Sequence, residues 1–202
     1  MSKADTVVVL DFETTGLSPN MGDRAIEIGA VRIENGRVTG RFQELMNPGR
    51  AVSGFIEDYT GISNGMLRNA APCGQVMRRF SDFMGDDNLV AHNASFDQRF
   101  LDAELERISQ KRPGQFVCSM LAARRLYQDA PDHKLGSLVR YAKILADGTF
   151  HRALYDSEMT AKLWLAMLNT IDERYATPSI SFSLMKRLTK TPKRLVAQLF
   201  ER

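Results

Sequence analysis

A run of apolar, mostly β-branched residues, Thr6-Val7-Val8-Val9-Leu10, ends at a carboxylate, Asp11. Such a run predicts a buried strand over Thr6 to Asp11. Two more β-like stretches follow, Ala25 to Ile33 and Arg41 to Met46, and Glu34-Asn35-Gly36 between them reads as a hairpin turn. Short helical patterns come next near Gly54–Tyr59 and Pro72–Phe83. A fourth strand, Asn88 to Ala91, leads into a helix from about Ser95 to Ser109. A fifth strand at Phe116–Cys118 precedes helical patterns near Leu121–Gln128 and Lys134–Ile144. A long helix then runs from Asp156 to about Tyr175, broken by Thr177-Pro178-Ser179. A hairpin meander followed by alternating strands and helices predicts an α/β layer fold around a mixed sheet.

The pattern is violated at acids. Residues two apart on a strand share a face, so Asp11 and Glu13 project together from the end of the first strand. Paired carboxylates repel unless a cation neutralises them or one keeps its proton, and all-oxygen ligation suits Mg²⁺ or Mn²⁺. Other acid-x-acid pairs, Asp102-x-Glu104, Glu104-x-Glu106 and Asp156-x-Glu158, fall in helical patterns. Residues two apart on a helix diverge by about 200°, so Glu104 is expected to be indifferent to any metal site and to tolerate Ala.

Asp97 lies inside the apolar stripe of Phe100, Leu101, Leu105 and Ile108, and Asp156 shares a face with Met159, Thr160, Leu163 and Met167. An inward carboxylate is costly unless it is paired, hydrogen-bonded or bound to metal. A first-turn acid (Asp97) and an N-cap (Asp156) are the structural alternatives. Four acids converging on one site can hold two divalent ions for in-line phosphoryl displacement. His151, in the Gly148-Thr149-Phe150 approach to the long helix, is placed to act as general base toward water.

Composition narrows the setting. A 202-residue chain with 44% hydrophobic and 25% charged residues suits one globular domain, and no apolar stretch is long enough to span a membrane. The polar start, Met1-Ser2-Lys3-Ala4-Asp5, carries no signal-peptide pattern. Two cysteines, Cys73 and Cys118, form neither a disulfide framework nor a zinc signature. A reducing cytoplasm is the expected compartment. Net charge is +3, but from Arg174 onward seven basic residues face one acid, leaving that tail at +6 and residues 1–173 at −3. A basic end on an acidic body suits a polyanion partner or a solvated helical face.

Together these residues resemble the DEDD, or DnaQ-like, 3′–5′ exonucleases. DFETTG resembles the first motif with Asp11 and Glu13, HNASFD (92–97) the second with Asp97, and HRALYD (151–156) the third with His151 and Asp156. The tyrosine branch of the family has its tyrosine four residues before the last acid. Arg152 stands there, so the chain resembles the histidine branch.

The resemblance implies a ribonuclease H-like fold and two Mg²⁺ or Mn²⁺ ions on Asp11, Glu13, Asp97 and Asp156. It also implies release of nucleoside 5′-monophosphates from a 3′ end. Thr14 is implied to meet the terminal 3′ hydroxyl, and Phe12, Leu17, His92 and Phe96 the sugar or base; Tyr59-Thr60-Gly61-Ile62 resembles a segment beside the site. DFETTG is closer to bacterial proofreading exonucleases than to RNA-trimming relatives. DNA with single-stranded or frayed 3′ ends is therefore the expected substrate, RNA the alternative, and a non-catalytic nucleic-acid-binding or polymerase-associated subunit a third reading. Residues 1–175 are expected to form the exonuclease domain. Residues 176–202 form a basic, helical extension that could hold nucleic acid, a polymerase partner or a second copy.

Overall fold

The structure, a computed structural model, describes residues 2–146, 148 and 151–201. Three strands open it: β1 (Val7–Thr14), β2 (Ala25–Glu34) and β3 (Arg37–Asn47). The hairpin turn sits at Asn35-Gly36, both in the left-handed region. Then come α1 (Gly54–Thr60), α2 (Asn64–Asn69), β4 (Ala71–Pro72), α3 (Cys73–Met84), β5 (Leu89–Ala91) and α4 (Ser95–Glu106). The remainder is β6 (Phe116–Cys118), α5 (Ser119–Leu126), α6 (Leu135–Tyr141), α7 (Ala153–Tyr175), α8 (Phe182–Lys190) and α9 (Val196–Phe200).

The sheet runs β4-β3-β2-β1-β5-β6. β1, β2 and β3 are antiparallel, while β5 joins β1, β6 joins β5 and β4 joins β3 in parallel. It is the mixed sheet the pattern predicts. Three departures are physical. β1 continues three residues past Asp11, because Phe12 and Glu13 keep their pairing with Ile28 and Glu27. β3 starts four residues early, at the hairpin itself, where exposed residues still pair with β2. The six-residue helix α2, the two-residue β4 and a 3-10 turn at Pro19–Met21 are too short to leave a periodic pattern.

Alternation on β1 divides the core. Val7 and Val9 join Val31 and Ile33 in packing against α5, α6 and α7, with Trp164 fully buried at the centre. Val8, Leu10 and Phe12 join Ile28 and Ala30 against α3 and α4. Both faces of β1 are therefore covered, which explains its unbroken apolar run. The C-terminal stretch contributes Ile180, Phe182, Met185, Leu188, Val196 and Phe200 to the α7 side. It is tied to the N-terminus by Ala4 N–H to Ile180 O and Phe182 N–H to Ser2 O, each 2.9 Å.

Candidate active site

The α7 face of β1 carries, after Val7 and Val9, Asp11 and then Glu13. Opposite Asp11 on β2 stands Gly29. A Cβ there would lie 2.0–2.4 Å from the backbone of Ala153 and Leu154, so α7 begins directly on the strand, beside Asp11. Ser157 fixes the seat by donating to the Gly29 carbonyl at 2.8 Å. One turn into α7, Asp156 faces the strand acids, and oxygens of Asp11, Glu13 and Asp156 lie within 4.8 Å of one another. Arg152, not Asp156, occupies the N-cap position of α7.

Asp97 arrives from the other layer. The β1–β5 ladder stops at Val9–Val90, leaving the Phe12 N–H unpaired by β5. Asp97 Oδ1 accepts it at 3.1 Å, placing a buried carboxylate at the head of α4 beside Asp11. Burial, followed by repulsion from Asp97, Glu13, Asp156 and Glu27, raises the Asp11 pKa well above the carboxylate range. Burial and the charge of Asp156 push Glu13 up to about 8, and burial pushes Asp97 up to about 8 against the opposing Phe12 N–H bond. Asp156 is raised mainly by burial.

Acids this close together ionise fully only when cations neutralise them. A second sign agrees. Asp156 Oδ2 accepts the His151 N–H at 2.8 Å, whereas Oδ1 is buried with no hydrogen-bond partner. An all-carboxylate set with an orphaned oxygen fits hard divalent ions.

His151 is exposed and held at φ +71°, a conformation that costs a non-glycine residue about 1 kcal/mol. The Thr149 and Phe150 of its approach lie outside the described residues. Its ring packs at a tilt against Tyr59 with centroids 4.3 Å apart, and Tyr59 stacks in turn on Phe55 at 5.8 Å. The Tyr59 hydroxyl pKa is raised by burial and by the charges of Glu13, Asp156 and Asp11, so it too faces the carboxylates.

Among the residues on which the site depends, sequence reasoning missed Glu27. Glu27 is fully buried, directly across from Glu13. It accepts from Arg152 Nε at 3.1 Å and Nη2 at 2.8 Å, from the Ala153 N–H at 3.1 Å, and from Gln43 Nε2 at 2.9 Å. The residue next to His151 is thus clamped to the sheet. An acid between two isoleucines in a strand was the available signal.

Glu104 corrects the expectation that it tolerates Ala: it is 2% exposed, accepting from Arg24 Nε at 2.7 Å, Arg24 Nη2 at 2.9 Å and the Ala25 N–H at 3.3 Å.

A cleft of about 710 Å³ contains all five polar residues, Asp11, Glu13, Asp97, His151 and Asp156, together with Phe12, Thr14, Leu17, His92 and Phe96. Their characters differ. Leu17 is 78% exposed, presented by a loop in which Asp23 accepts from Thr15 Oγ1 at 3.2 Å and the Ser18 N–H at 3.0 Å. Phe96 is half-buried against Phe100. Phe12 is buried in the core. The Thr14 hydroxyl donates to Gly16 O at 2.6 Å and keeps its lone pairs for the cleft. Both His92 nitrogens are engaged, with Ser119 Oγ at 2.9 Å and His133 O at 3.0 Å. Burial lowers its pKa to about 4, which leaves a neutral ring face toward the cleft.

Comparison with known proteins shows the family. The RNase_T family model, described as Exonuclease, matches residues 8–164. The DNA polymerase III PolC-type of Bacillus subtilis (strain 168) is 38% identical over 172 residues, 84% of this chain and 12% of the polymerase. That of Oceanobacillus iheyensis is 39% identical over 171 residues, with the same coverages. The chain therefore spans 12% of the length of these relatives. A solved exonuclease X in complex with 5′ overhanging duplex DNA gives a TM-score of 0.68 at 24% identity, covering 96% of this chain and 99% of that one. The nuclease domain of 3′hExo, a DEDDh family member bound to rAMP, gives 0.70 at 22% identity, covering 82% and 92%. The fold is the ribonuclease H-like one expected from the motifs, a mixed six-stranded sheet flanked by helices.

Proposed function

The chain belongs to the RNase_T exonuclease family, the DnaQ-like nucleases, and on that premise we propose that it hydrolyses the terminal phosphodiester bond at the 3′ end of DNA with two divalent ions. The observation that carries the reading is the convergence of Asp11, Glu13, Asp97 and Asp156 from three elements beside His151, with an orphaned oxygen on Asp156. When bound to these carboxylates, Mg²⁺ or Mn²⁺ supplies charge neutralisation and stabilises the attacking and leaving oxygens.

The residues do the rest. His151 takes a proton from the attacking water as its oxygen bonds to phosphorus. The bond from phosphorus to the 3′ oxygen of the preceding nucleotide breaks, and that oxygen leaves as a hydroxyl after gaining a proton. The product is a nucleoside 5′-monophosphate. Tyr59 holds the imidazole by a tilted ring contact, and the Arg152–Glu27 clamp fixes the backbone beside it. Thr14 Oγ1, its own proton committed to Gly16 O, accepts from the 3′ hydroxyl of the departing nucleotide. Leu17, Phe96 and the ring face of His92 offer apolar contact that any base can use.

DNA is favoured because the polymerase relatives are named as DNA polymerases, and a polymerase is the protein partner this suggests. No described helix is long and apolar enough to cross a membrane, and Cys73 and Cys118 are free thiols, which suits a reducing cytoplasm.

The test uses 3′-labelled single-stranded DNA, duplex DNA with a frayed end, and RNA of matched length, each with Mg²⁺, Mn²⁺ or EDTA. Expected is EDTA-sensitive stepwise loss from DNA, fastest on the single strand. Faster cleavage of RNA would transfer the reading to an exoribonuclease, and no cleavage of any substrate would overturn it.

A further inference from the structure

The carboxylates also border a second lobe of about 830 Å³, which shares Asp11, Tyr59, His92, Asn93, His151 and Asp156 with the cleft that holds Leu17 and Phe96. Its far wall carries Arg124 at the end of α5, Lys134 before α6 and Arg140 on α6. All three are exposed, and none makes an ion pair among the described residues. Asp132, the acid of that wall, turns its oxygens to the Lys134 N–H at 2.8 Å and Ser137 Oγ at 3.0 Å.

The positive charge does not stop at the lobe. Arg125, next to Arg124, donates to the Thr191 carbonyl at 2.6 Å, and Gln128 donates to the Lys193 carbonyl at 3.2 Å. The end of α5 therefore abuts the turn between α8 and α9, which bears exposed Lys190, Lys193 and Arg194. These three make no ion pair among the described residues either. Glu201 is the single acid from Arg174 to the end of the chain.

We infer that a single nucleic acid strand whose 3′ end lies at the carboxylates continues through the basic lobe and over the end of α5 onto the 190–194 turn. The two lobes divide the work by chemistry. Apolar groups receive the terminal base, while guanidinium and ammonium groups follow the phosphates and release counterions. The extension at 176–202 is then a substrate-holding part of the exonuclease domain. The position of the 3′ end rests on the exonuclease reading above.

The test is the triple variant Lys190→Gln, Lys193→Gln, Arg194→Gln. Its control, Arg68→Gln, Arg78→Gln, Arg107→Gln, makes the same charge change on α2, α3 and the end of α4. Affinity is measured against salt for a single strand of about 20 nucleotides whose 3′-terminal linkage is a methylphosphonate. Hydrolysis of a trinucleotide and of the p-nitrophenyl ester of thymidine 5′-phosphate is followed in parallel.

For the track variant, affinity for the long strand should fall at least about tenfold at 0.1 M salt, and the log–log salt slope should flatten by about 2, at roughly 0.7 per lost phosphate contact. The loss should shrink as the strand is shortened, and the control should behave as wild type. Affinity and slope matching the control, with trinucleotide hydrolysis intact, would overturn the track and leave the exonuclease reading standing. Unchanged DNA affinity with an altered oligomeric mass would assign the turn to protein contact and overturn it as well. Failure of the wild type on every substrate would instead overturn the exonuclease reading.

Discussion

Replacing Arg152 with Ala should damage the protein more than its exposed position suggests, and removing the charge it neutralises should repair part of the harm. The Arg152 side chain is 40% exposed, whereas that of Glu27 is fully buried. Arg152→Ala therefore leaves a buried carboxylate with only Gln43 and the Ala153 N–H for company. Breaking a buried pair from one side costs about 3–5 kcal/mol, and partial exposure of the arginine places this one near 2–4 kcal/mol. At about 2–4 °C per kcal/mol for a chain of this size, Tm should fall by about 4–16 °C.

Glu27→Gln removes charge while keeping shape and an acceptor for Ala153 N–H, so it should cost only about 1–2 kcal/mol. Adding Glu27→Gln to Arg152→Ala should raise stability above that of Arg152→Ala alone, because the unpaired buried charge is gone. Both single variants loosen the backbone at His151, so kcat should fall while KM barely changes. Thermal melts in EDTA and steady-state rates on a short oligonucleotide measure both effects. A double variant no more stable than Arg152→Ala, or Arg152→Ala with wild-type kcat, would refute the clamp.

The other perturbations separate stability from chemistry. Glu104→Ala strands Arg24 and the Ala25 N–H, so melts should show a loss of about 2–4 kcal/mol, whereas exposed Glu106→Ala should be neutral. His151→Asn keeps the backbone N–H that bonds Asp156, so Mn²⁺ and DNA binding should persist while kcat drops about 10²–10⁴-fold; an unchanged kcat would remove the base. Glu13 and Asp97 keep their protons up to about 8 when folded but lose them near 4.5 and 3.8 when unfolded. The folded state thus binds more protons across that window, and metal-free protein should lose stability as pH rises through it. The Tm gain from Mg²⁺ should accordingly be larger at about pH 8 than at about pH 5.5; a metal-free Tm that rises over this range would contradict the site's electrostatics.

How legible all this was in the sequence depended on whether a residue's chemistry conflicted with its neighbours. Asp97 and Asp156 stood out because each interrupts an apolar helical stripe, and Asp11 with Glu13 because they end a β-branched run. The layered fold followed from alternating strands and helices. Contacts between segments distant along the chain were not legible. The Glu27–Arg152 clamp joins residues 125 apart, and the Arg24–Glu104 pair residues 80 apart. Helical spacing separates Glu104 from the carboxylate cluster but says nothing of an arginine arriving from another element. The role of Gly29 was hidden for the same reason, since only the approach of α7 makes its missing side chain necessary.

The central claim is that the four carboxylates convert a 3′ phosphodiester into a nucleoside 5′-monophosphate and a shortened strand. The most direct measurement is chromatographic analysis of the products formed from single-stranded DNA in Mg²⁺ by wild type, Asp11→Ala and Asp97→Ala. Wild type should release nucleoside 5′-monophosphates alone, one at a time from the 3′ end. Both variants should be slower by several orders of magnitude while staying folded. Release of 3′-monophosphates or internal fragments, or near-wild-type rates from either variant, would contradict the claim.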